Sequence, residues 1–188
     1  MAKSNYTKRI IDDYCVIDTE TTGLSAYNDQ IIEIGILKVR NGRIVDRYSQ
    51  LIQPGVRISR FITQLTGITN RMVMGMPSID EVEDEVMAFI GDDIILGHNT
   101  NFDMRFLNAH FSHPLENKYM DTVQFARKLY PELRSHSLST LTQYLNLSNN
   151  EHRALADCIS TQELYEHMKE TMIDRGLTMR DLWRSYRD

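Results

Sequence analysis

Cysteine, proline, tryptophan and long apolar runs are all scarce in this sequence of 188 residues. The two cysteines, Cys15 and Cys158, form neither a metal-binding spacing nor a disulfide framework. The four prolines mark no obvious linker. No run of about 18 apolar residues occurs, which predicts no membrane span, and the polar start MAKSNYTKRI has no secretory pattern. These absences favour a reducing, cytoplasmic location.

Positive charge is also in the minority. Lysine and arginine together number 21 against 26 aspartates and glutamates, so the formal net charge is −5. A protein held to nucleic acid mainly by a basic surface is expected to be cationic. Any contact with nucleic acid is therefore expected at one local site, where metal ions would offset the repulsion. The 41% hydrophobic and 25% charged residues are typical of a globular chain and exclude a disordered one.

The pattern of apolar residues predicts three strands followed by alternating helices and strands. Strands are expected at residues 14–18, 31–39 and 43–52, and Asn41-Gly42 between the last two is a strong hairpin signal. The later segments predict a helix after Ser78 that stops at Gly91, a strand at 94–97, a helix over about 100–111, a strand at 118–120, and helices from Asp121 to about Tyr130, over 138–145 and over 154–172.

An antiparallel meander followed by βαβ units is an α/β arrangement with a five-stranded mixed sheet flanked by helices. We expect residues 1–172 to form one domain. Residues 173–188 are expected to form a C-terminal extension that is helical and carries Trp183, the single tryptophan.

Two carboxylates stand at the end of the first predicted strand. Side chains two positions apart on a strand share a face, so Asp18 and Glu20 are expected side by side. Two adjacent carboxylates repel and need a cation or a shared proton. Mg²⁺ and Mn²⁺ prefer oxygen ligands, so the pair is a candidate metal site. A strand that simply ends in a solvated turn is the alternative.

Three further polar residues occupy helix starts. Asp103 falls in the first turn of the helix over 100–111, where acids also occur for dipole reasons alone. His152 and Asp157 are five residues apart, about 140° on one continuous helix. If that helix begins near Arg153 or Ala154, Asp157 is fixed on it and His152 precedes it. A fixed acid suits a metal ligand, and an imidazole before the helix suits a proton carrier.

Taken in order, these residues form three motifs that resemble those of the DnaQ-like, or DEDDh, family of 3′→5′ exonucleases. The motifs are IDTETTGL at 17–24, HNTNFDMRFL at 98–107 and HRALADC at 152–158, and the resemblance extends over about 13–170. The connecting segments QIIEIG, LTGIT, MDT and HSLSTL are also similar. Within the family, the likeness is greatest to the proofreading domains of bacterial DNA polymerase III, of the PolC and epsilon types.

The resemblance implies an RNase H-like fold and a role for each matching residue. Asp18, Glu20, Asp103 and Asp157 match the four acids that bind two divalent ions, Mg²⁺ or Mn²⁺, and His152 matches the general base. The implied reaction is hydrolysis at the 3′ end of DNA, single-stranded or frayed, which releases nucleoside 5′-monophosphates.

The resemblance also implies contacts with the substrate. The turn Thr21, Thr22, Gly23 and Leu24 would meet the terminal nucleotide, with Leu24 against the base. His98, Asn99 and Phe102 would lie near the substrate, although a cap or a core position is an alternative for them. An exoribonuclease of the same superfamily and an accessory subunit of a DNA polymerase remain alternatives for the whole chain. The H-x-x-x-x-D element argues against an endonuclease of the RNase H type.

Overall fold

The computed structural model describes residues 9–148, 152–178 and 181. A five-stranded mixed sheet has the strand order β3-β2-β1-β4-β5. The elements, in chain order, are β1 (Tyr14–Thr21), β2 (Ile31–Arg40), β3 (Arg43–Leu51), α1 (Arg60–Thr66), α2 (Asn70–Val73), α3 (Ile79–Ile90), β4 (Ile95–Gly97), α4 (Thr100–His110), β5 (Tyr119–Asp121), α5 (Thr122–Leu129), α6 (Leu138–Leu145) and α7 (Ala154–Asp174).

Strands β1, β2 and β3 form the predicted antiparallel meander. The turn between β2 and β3 is Asn41-Gly42, and both residues have positive φ, 50° and 70°. A two-residue turn with two positive φ values matches the twist of a hairpin, which is why Asn-Gly is favoured there. β4 then pairs parallel with β1, and β5 pairs parallel with β4, so the mixed sheet is confirmed.

Local capping chemistry fixes most of the helix starts. Ser78 and Glu81 form the predicted capping box at the start of α3, and Asp121 caps α5 by accepting from the Val123 backbone N–H. Two short helices, α1 and α2, lie in a stretch for which the sequence predicted no element. Their caps are Ser59 and Thr69, which accept from backbone N–H groups three residues later.

Helices cover both faces of the sheet. One buried cluster contains Val16 and Leu37 of the sheet together with residues of α5, α6 and α7. A second contains Ile17 and Ile36 with residues of α3 and α4. Alternate residues of β1 and β2 thus face different layers, as the pleat of a strand requires. This three-layer packing holds the C-terminal ends of β1 and β4 beside the N-terminal ends of α4 and α7.

None of the helices in the described part of the chain has the length and apolarity to cross a membrane. The predicted C-terminal helix with Trp183 lies outside the described residues, apart from residues 176–178 and 181. The division into 1–172 and 173–188 therefore stays a prediction.

Candidate active site

The end of β1 presents two carboxylates on one face of the sheet. β1 continues to Thr21, three residues beyond the predicted end, so Asp18 and Glu20 lie within the strand. They share the face that carries Val16, which packs against the α7 layer. Both side chains are only partly exposed. The predicted juxtaposition of these two acids is present.

Helix α7 adds a third carboxylate to this pair. The helix begins at Ala154, so Asp157 lies in its first turn, and Asp157 is 7% exposed. One carboxylate oxygen from each of Asp18, Glu20 and Asp157 lies within 4.8 Å of the others. We call these three residues the acidic cluster.

Asp103 approaches from the opposite face of β1. It lies in the first turn of α4 and is 3% exposed. Its Oδ1 accepts hydrogen bonds from the backbone N–H of Thr19 at 2.9 Å and from the Thr19 hydroxyl at 2.7 Å. Because Thr19 stands between Asp18 and Glu20, these bonds fix Asp103 to the strand that carries the cluster.

Burial raises the pKa of three of these acids, Asp18, Glu20 and Asp103. Burial, followed by the charges of Asp103 and Asp157, raises the pKa of Asp18 well above its ordinary value. Burial and the charge of Asp157 raise the pKa of Glu20 to about 8. Burial raises the pKa of Asp103 to about 7 against the effect of the Thr19 hydrogen bonds. Such a set of crowded hard oxygen ligands fits a divalent cation, which would remove the repulsion.

His152 lies just before α7 and is exposed. Its φ is 52°, in the left-handed region that is uncommon for residues other than glycine. The prediction that the helix begins after His152, near Arg153 or Ala154, is confirmed. The imidazole therefore stands on the segment that leads into the helix, two positions before its first residue, Ala154.

The turn after Glu20 is held by local hydrogen bonds. The Thr21 hydroxyl donates to the Gly23 carbonyl at 2.6 Å, and the Thr22 hydroxyl accepts from the Gln30 backbone N–H at 2.9 Å. A Cβ at Gly23 would lie 2.5 Å from the carboxylate of Asp29, so a larger residue there would displace the Asp29 side chain, whose Oδ2 accepts from the Ser25 backbone N–H. Leu24 is 82% exposed at the tip of this turn. An exposed leucine on a hydrogen-bonded turn is a rigid apolar contact surface.

The segment before Asp103 contains three more of the predicted residues. The His98 ring makes two contacts with protein atoms, Nδ1 with the Thr122 hydroxyl at 2.8 Å and Nε2 with the His136 carbonyl at 2.9 Å. Asn99 is exposed, with φ of 69°, directly before α4. Phe102 is half-buried, and its ring centroid is 4.8 Å from that of Phe106. His98 and Phe102 thus have structural contacts, whereas the Asn99 side chain faces solvent.

The β2 residues that hold α7 against the sheet lie outside the three motifs and were not predicted. Glu33 of β2 is 1% exposed, and its Oε2 accepts from Arg153 Nε and from the Ala154 backbone N–H, each at 3.0 Å. A Cβ at Gly35 would lie 2.4 Å from the Ala154 carbonyl carbon, so only glycine permits this approach. A glutamate inside the apolar run IIEIG was the available signal, because a buried charge requires a partner.

The raised pKa values predict how stability depends on pH in the absence of metal. In the folded chain Glu20 and Asp103 bind protons up to about pH 8 and 7, but an unfolded carboxyl loses its proton near pH 4. This contribution to stability is complete below pH 4 and is lost as pH rises through 7 and 8. Metal-free protein should therefore melt at lower temperature at pH 8.5 than at pH 6, and Mg²⁺ should raise the melting temperature most at pH 8.5.

Asp18→Asn tests the origin of this effect. It removes one of the repelling charges, so the metal-free variant should melt at higher temperature than wild type at pH 8.5 and respond less to Mg²⁺. Asp84→Asn, at an exposed position of α3, is the matched control. An equal Mg²⁺ response in wild type and Asp18→Asn, measured by thermal denaturation, would contradict the assignment.

The Glu33 contacts predict a loss of stability when the carboxylate is changed. Glu33→Gln keeps the shape of the side chain but loses the charge that pairs with Arg153, a change expected to cost about 1–3 kcal/mol of unfolding free energy. Glu33→Ala should cost more, because the Ala154 N–H then loses its acceptor. Urea unfolding measures both. Exposed Glu85→Gln should change stability by less than about 0.5 kcal/mol, and a similar small effect for Glu33→Gln would refute the positioning role.

Comparison with known proteins agrees with this geometry. The exonuclease family model RNase_T matches residues 15–165. The PolC-type DNA polymerase III of Clostridium perfringens is 43% identical over 169 residues, which cover 86% of this chain and 12% of the polymerase. That of Bacillus subtilis is 37% identical over 185 residues, 94% of this chain and 13% of the polymerase. The chain therefore spans about an eighth of the length of these relatives.

Solved structures with the same fold are also exonucleases. Exonuclease X in complex with 5′ overhanging duplex DNA superimposes with a TM-score of 0.69 at 29% identity, covering 90% of this chain and 96% of that protein. E. coli Exonuclease I in complex with a dT13 oligonucleotide superimposes with a TM-score of 0.73 at 17% identity, covering 88% of this chain and 43% of that chain. At this low identity the likeness supports the fold and not a shared function. The predicted RNase H-like fold is confirmed, and the chain belongs to the exonuclease family that the RNase_T model describes.

Proposed function

We propose that this chain is a metal-dependent 3′→5′ exonuclease that hydrolyses the terminal phosphodiester bond of DNA and releases nucleoside 5′-monophosphates. The observation that carries the proposal is the acidic cluster, in which oxygens of Asp18, Glu20 and Asp157 lie within 4.8 Å of one another. Asp103 is bonded to the same strand through Thr19. Family membership supplies the reaction class, and the cluster supplies the means to perform it.

In this proposal Asp18, Glu20, Asp103 and Asp157 hold two divalent ions, Mg²⁺ or Mn²⁺. Bound ions of this kind supply an activated water and offset the charge on the phosphate and the leaving 3′-oxygen. The four carboxylates would determine where the positive charge of the ions lies. Since Thr19 positions Asp103 and Glu33 positions the start of α7, the acids are placed before any substrate arrives.

His152 is the proposed general base. A neutral imidazole has a ring nitrogen that can accept a proton from water, which is the role of a general base. Its exposed position before α7, only five residues from Asp157, leaves the ring accessible to a water molecule beside the cluster. Its left-handed backbone is a local strain that often accompanies a functional role.

The 3′ end is proposed to lie on the turn Thr21, Thr22, Gly23 and Leu24. The exposed Leu24 side chain offers an apolar surface for the terminal base. Asn99 and Phe102, before and within the first turn of α4, would contact the same nucleotide. His98 would support these residues without contacting the nucleotide through its ring nitrogens, because both nitrogens contact protein atoms.

A proofreading or repair role on frayed or single-stranded DNA is part of the proposal. Its support is the identity of 37–43% with PolC-type DNA polymerase III. A DNA polymerase is accordingly the proposed protein partner. A cytoplasmic location is proposed with it, in keeping with two buried free cysteines, Cys15 and Cys158.

One assay tests the proposal against its alternatives. Purified protein with Mg²⁺ or Mn²⁺ should shorten a 5′-labelled DNA strand one nucleotide at a time and spare a closed circular single strand. A 3′-phosphate should slow the reaction, because the site is proposed to bind a free 3′ terminus. Excess EDTA should abolish the reaction. Preference for a matched RNA strand would favour an exoribonuclease. Nicking of the circular strand would favour an endonuclease. Full activity in excess EDTA would refute the metal role.

Two substitutions at His152 separate the imidazole from the backbone strain. His152→Ala should slow the chemical step roughly 10²- to 10⁴-fold, the usual contribution of a general base. His152→Asn is the matched control, because asparagine tolerates positive φ, as Asn41, Asn99 and Asn146 do in this chain. Both variants should lose the rise of rate with pH while still binding Mn²⁺. A normal rate and pH profile in single-turnover kinetics would remove His152 from the mechanism.

A further inference from the structure

A groove with a volume of about 550 Å³ opens beside the start of α4. Its walls include His98 and Asn99 from the end of β4, Arg127 from α5, and Arg134, Ser135 and Ser137 from the segment before α6. We call this feature the arginine groove.

Buried contacts of His98 hold the walls of the groove together. Burial lowers the pKa of His98 to about 4, so the ring is neutral at pH 7. A carbonyl can only accept, so Nε2 carries the proton and donates to the His136 carbonyl at 2.9 Å, while Nδ1 faces the Thr122 hydroxyl at 2.8 Å. His136 is in turn held through its Nε2, 2.9 Å from the Tyr130 carbonyl. The segment with Arg134 is thereby fastened to the sheet.

The groove is cationic, although the chain as a whole is acidic. Within residues 9–148 and 152–178, neither Arg127 nor Arg134 forms a salt bridge. The neighbouring acid, Asp121, is 7% exposed, and its Oδ1 accepts from the Asn99 and Val123 backbone N–H groups at 2.9 Å. The N-terminus of α6, capped by Ser137, adds partial positive charge. An anion in the groove would meet two arginines and hydroxyls but little exposed negative charge.

The arginine groove is connected directly to the acidic site. Asn99 lines the groove and immediately precedes α4, and Asp103 lies in the first turn of that helix. Asp121, which bonds Asn99, also contributes to the raised pKa of Asp103. A chain of phosphates that enters the site past Asn99 would therefore pass over Arg127 and Arg134.

We propose that the arginine groove binds the backbone phosphates of the nucleic-acid strand upstream of its 3′-terminal nucleotide. Arg127 and Arg134 are the phosphate contacts, and the hydroxyls of Ser135 and Ser137 are hydrogen-bond donors to the same strand. This inference rests on the proposed function. It explains how a chain with a net charge of −5 would hold a polyanion: by two neighbouring arginines that form no salt bridge with another described residue, although Arg127 lies close enough to Asp121 for its charge to oppose the burial that raises the pKa of that carboxyl.

A second cavity of about 550 Å³ provides the matched control. It lies beside α1 and also carries two arginines, Arg57 and Arg60. Ile58 in its wall belongs to the same buried cluster as Ile32 of β2. Since side chains alternate along a strand, Ile32 lies on the opposite face of the sheet from Glu33. This cavity has the same volume and arginine count as the arginine groove but lacks its link to α4.

The experiment compares Arg127→Ala/Arg134→Ala with Arg57→Ala/Arg60→Ala on two substrates. One is a 15-nucleotide oligothymidylate, and the other is the p-nitrophenyl ester of thymidine 5′-monophosphate, whose single phosphate is the scissile one. The groove pair should raise KM for the oligonucleotide roughly 10- to 100-fold, as expected for the loss of charged hydrogen bonds. The ratio of oligonucleotide to ester kcat/KM should fall by the same factor. Binding of fluorescein-labelled oligonucleotide to the Asp18→Asn chain is followed by anisotropy at several salt concentrations. The slope of the logarithm of the binding constant against the logarithm of the salt concentration should become shallower by about 1.4 when both groove arginines are removed.

The outcomes distinguish the groove from the proposed function. An unchanged salt dependence, or an equal loss from the Arg57/Arg60 pair, overturns the groove assignment even if the wild-type chain hydrolyses both substrates. Failure of the wild-type chain to hydrolyse the ester and the oligonucleotide overturns the proposed function. In that case the anisotropy measurement still decides whether the arginines bind phosphates.

Discussion

The contact between Glu33 and the start of α7 is the constraint on which the site depends. Glu33 is buried in the middle of the sheet and accepts from Arg153 and from the Ala154 backbone N–H, while Gly35 lets the helix approach the strand. A buried carboxylate without these partners would be strongly unfavourable. The contact therefore sets both the position and the first residue of α7, and with them the position of Asp157. If α7 were shifted by one residue relative to this contact, Asp157 would turn by about 100° away from Asp18.

The same arrangement brings several negative charges together at a cost in stability. Glu20 stands opposite Glu33 in the register of β1 and β2, and like charges directly opposite each other are unfavourable. Arg153 offsets one of them, and divalent ions are proposed to offset the others. Negative charge is thus concentrated where metal is proposed to bind, and Arg127 and Arg134 lie beside that point in the groove proposed to hold phosphates, which would let a chain of net charge −5 bind a polyanion.

Much of the fold could be predicted because its signals are local. The Asn41-Gly42 turn, the capping box of Ser78 and the cap of Asp121 depend on neighbouring residues, and each was confirmed. The true end of β1 was missed because half-buried polar residues interrupt its apolar pattern. Helices α1 and α2 are too short for a periodic signal. The candidate site acids were identified by motif. The Glu33–Arg153 pair joins residues 120 apart, so the sequence signals only that the buried glutamate needs a partner and not which residue supplies it. The groove joins three separate segments and has no signal along the chain.

The central claim is that the acids of β1, α4 and α7 form a site for two divalent ions. Crystals soaked in Mn²⁺ test it most directly, because the anomalous scattering of manganese locates each ion independently of any assay. The account predicts two peaks at this site, both within coordination distance of carboxylate oxygens of Asp18, Glu20, Asp103 and Asp157. No peak at the acidic cluster, with the ions bound only to surface carboxylates elsewhere, would contradict it.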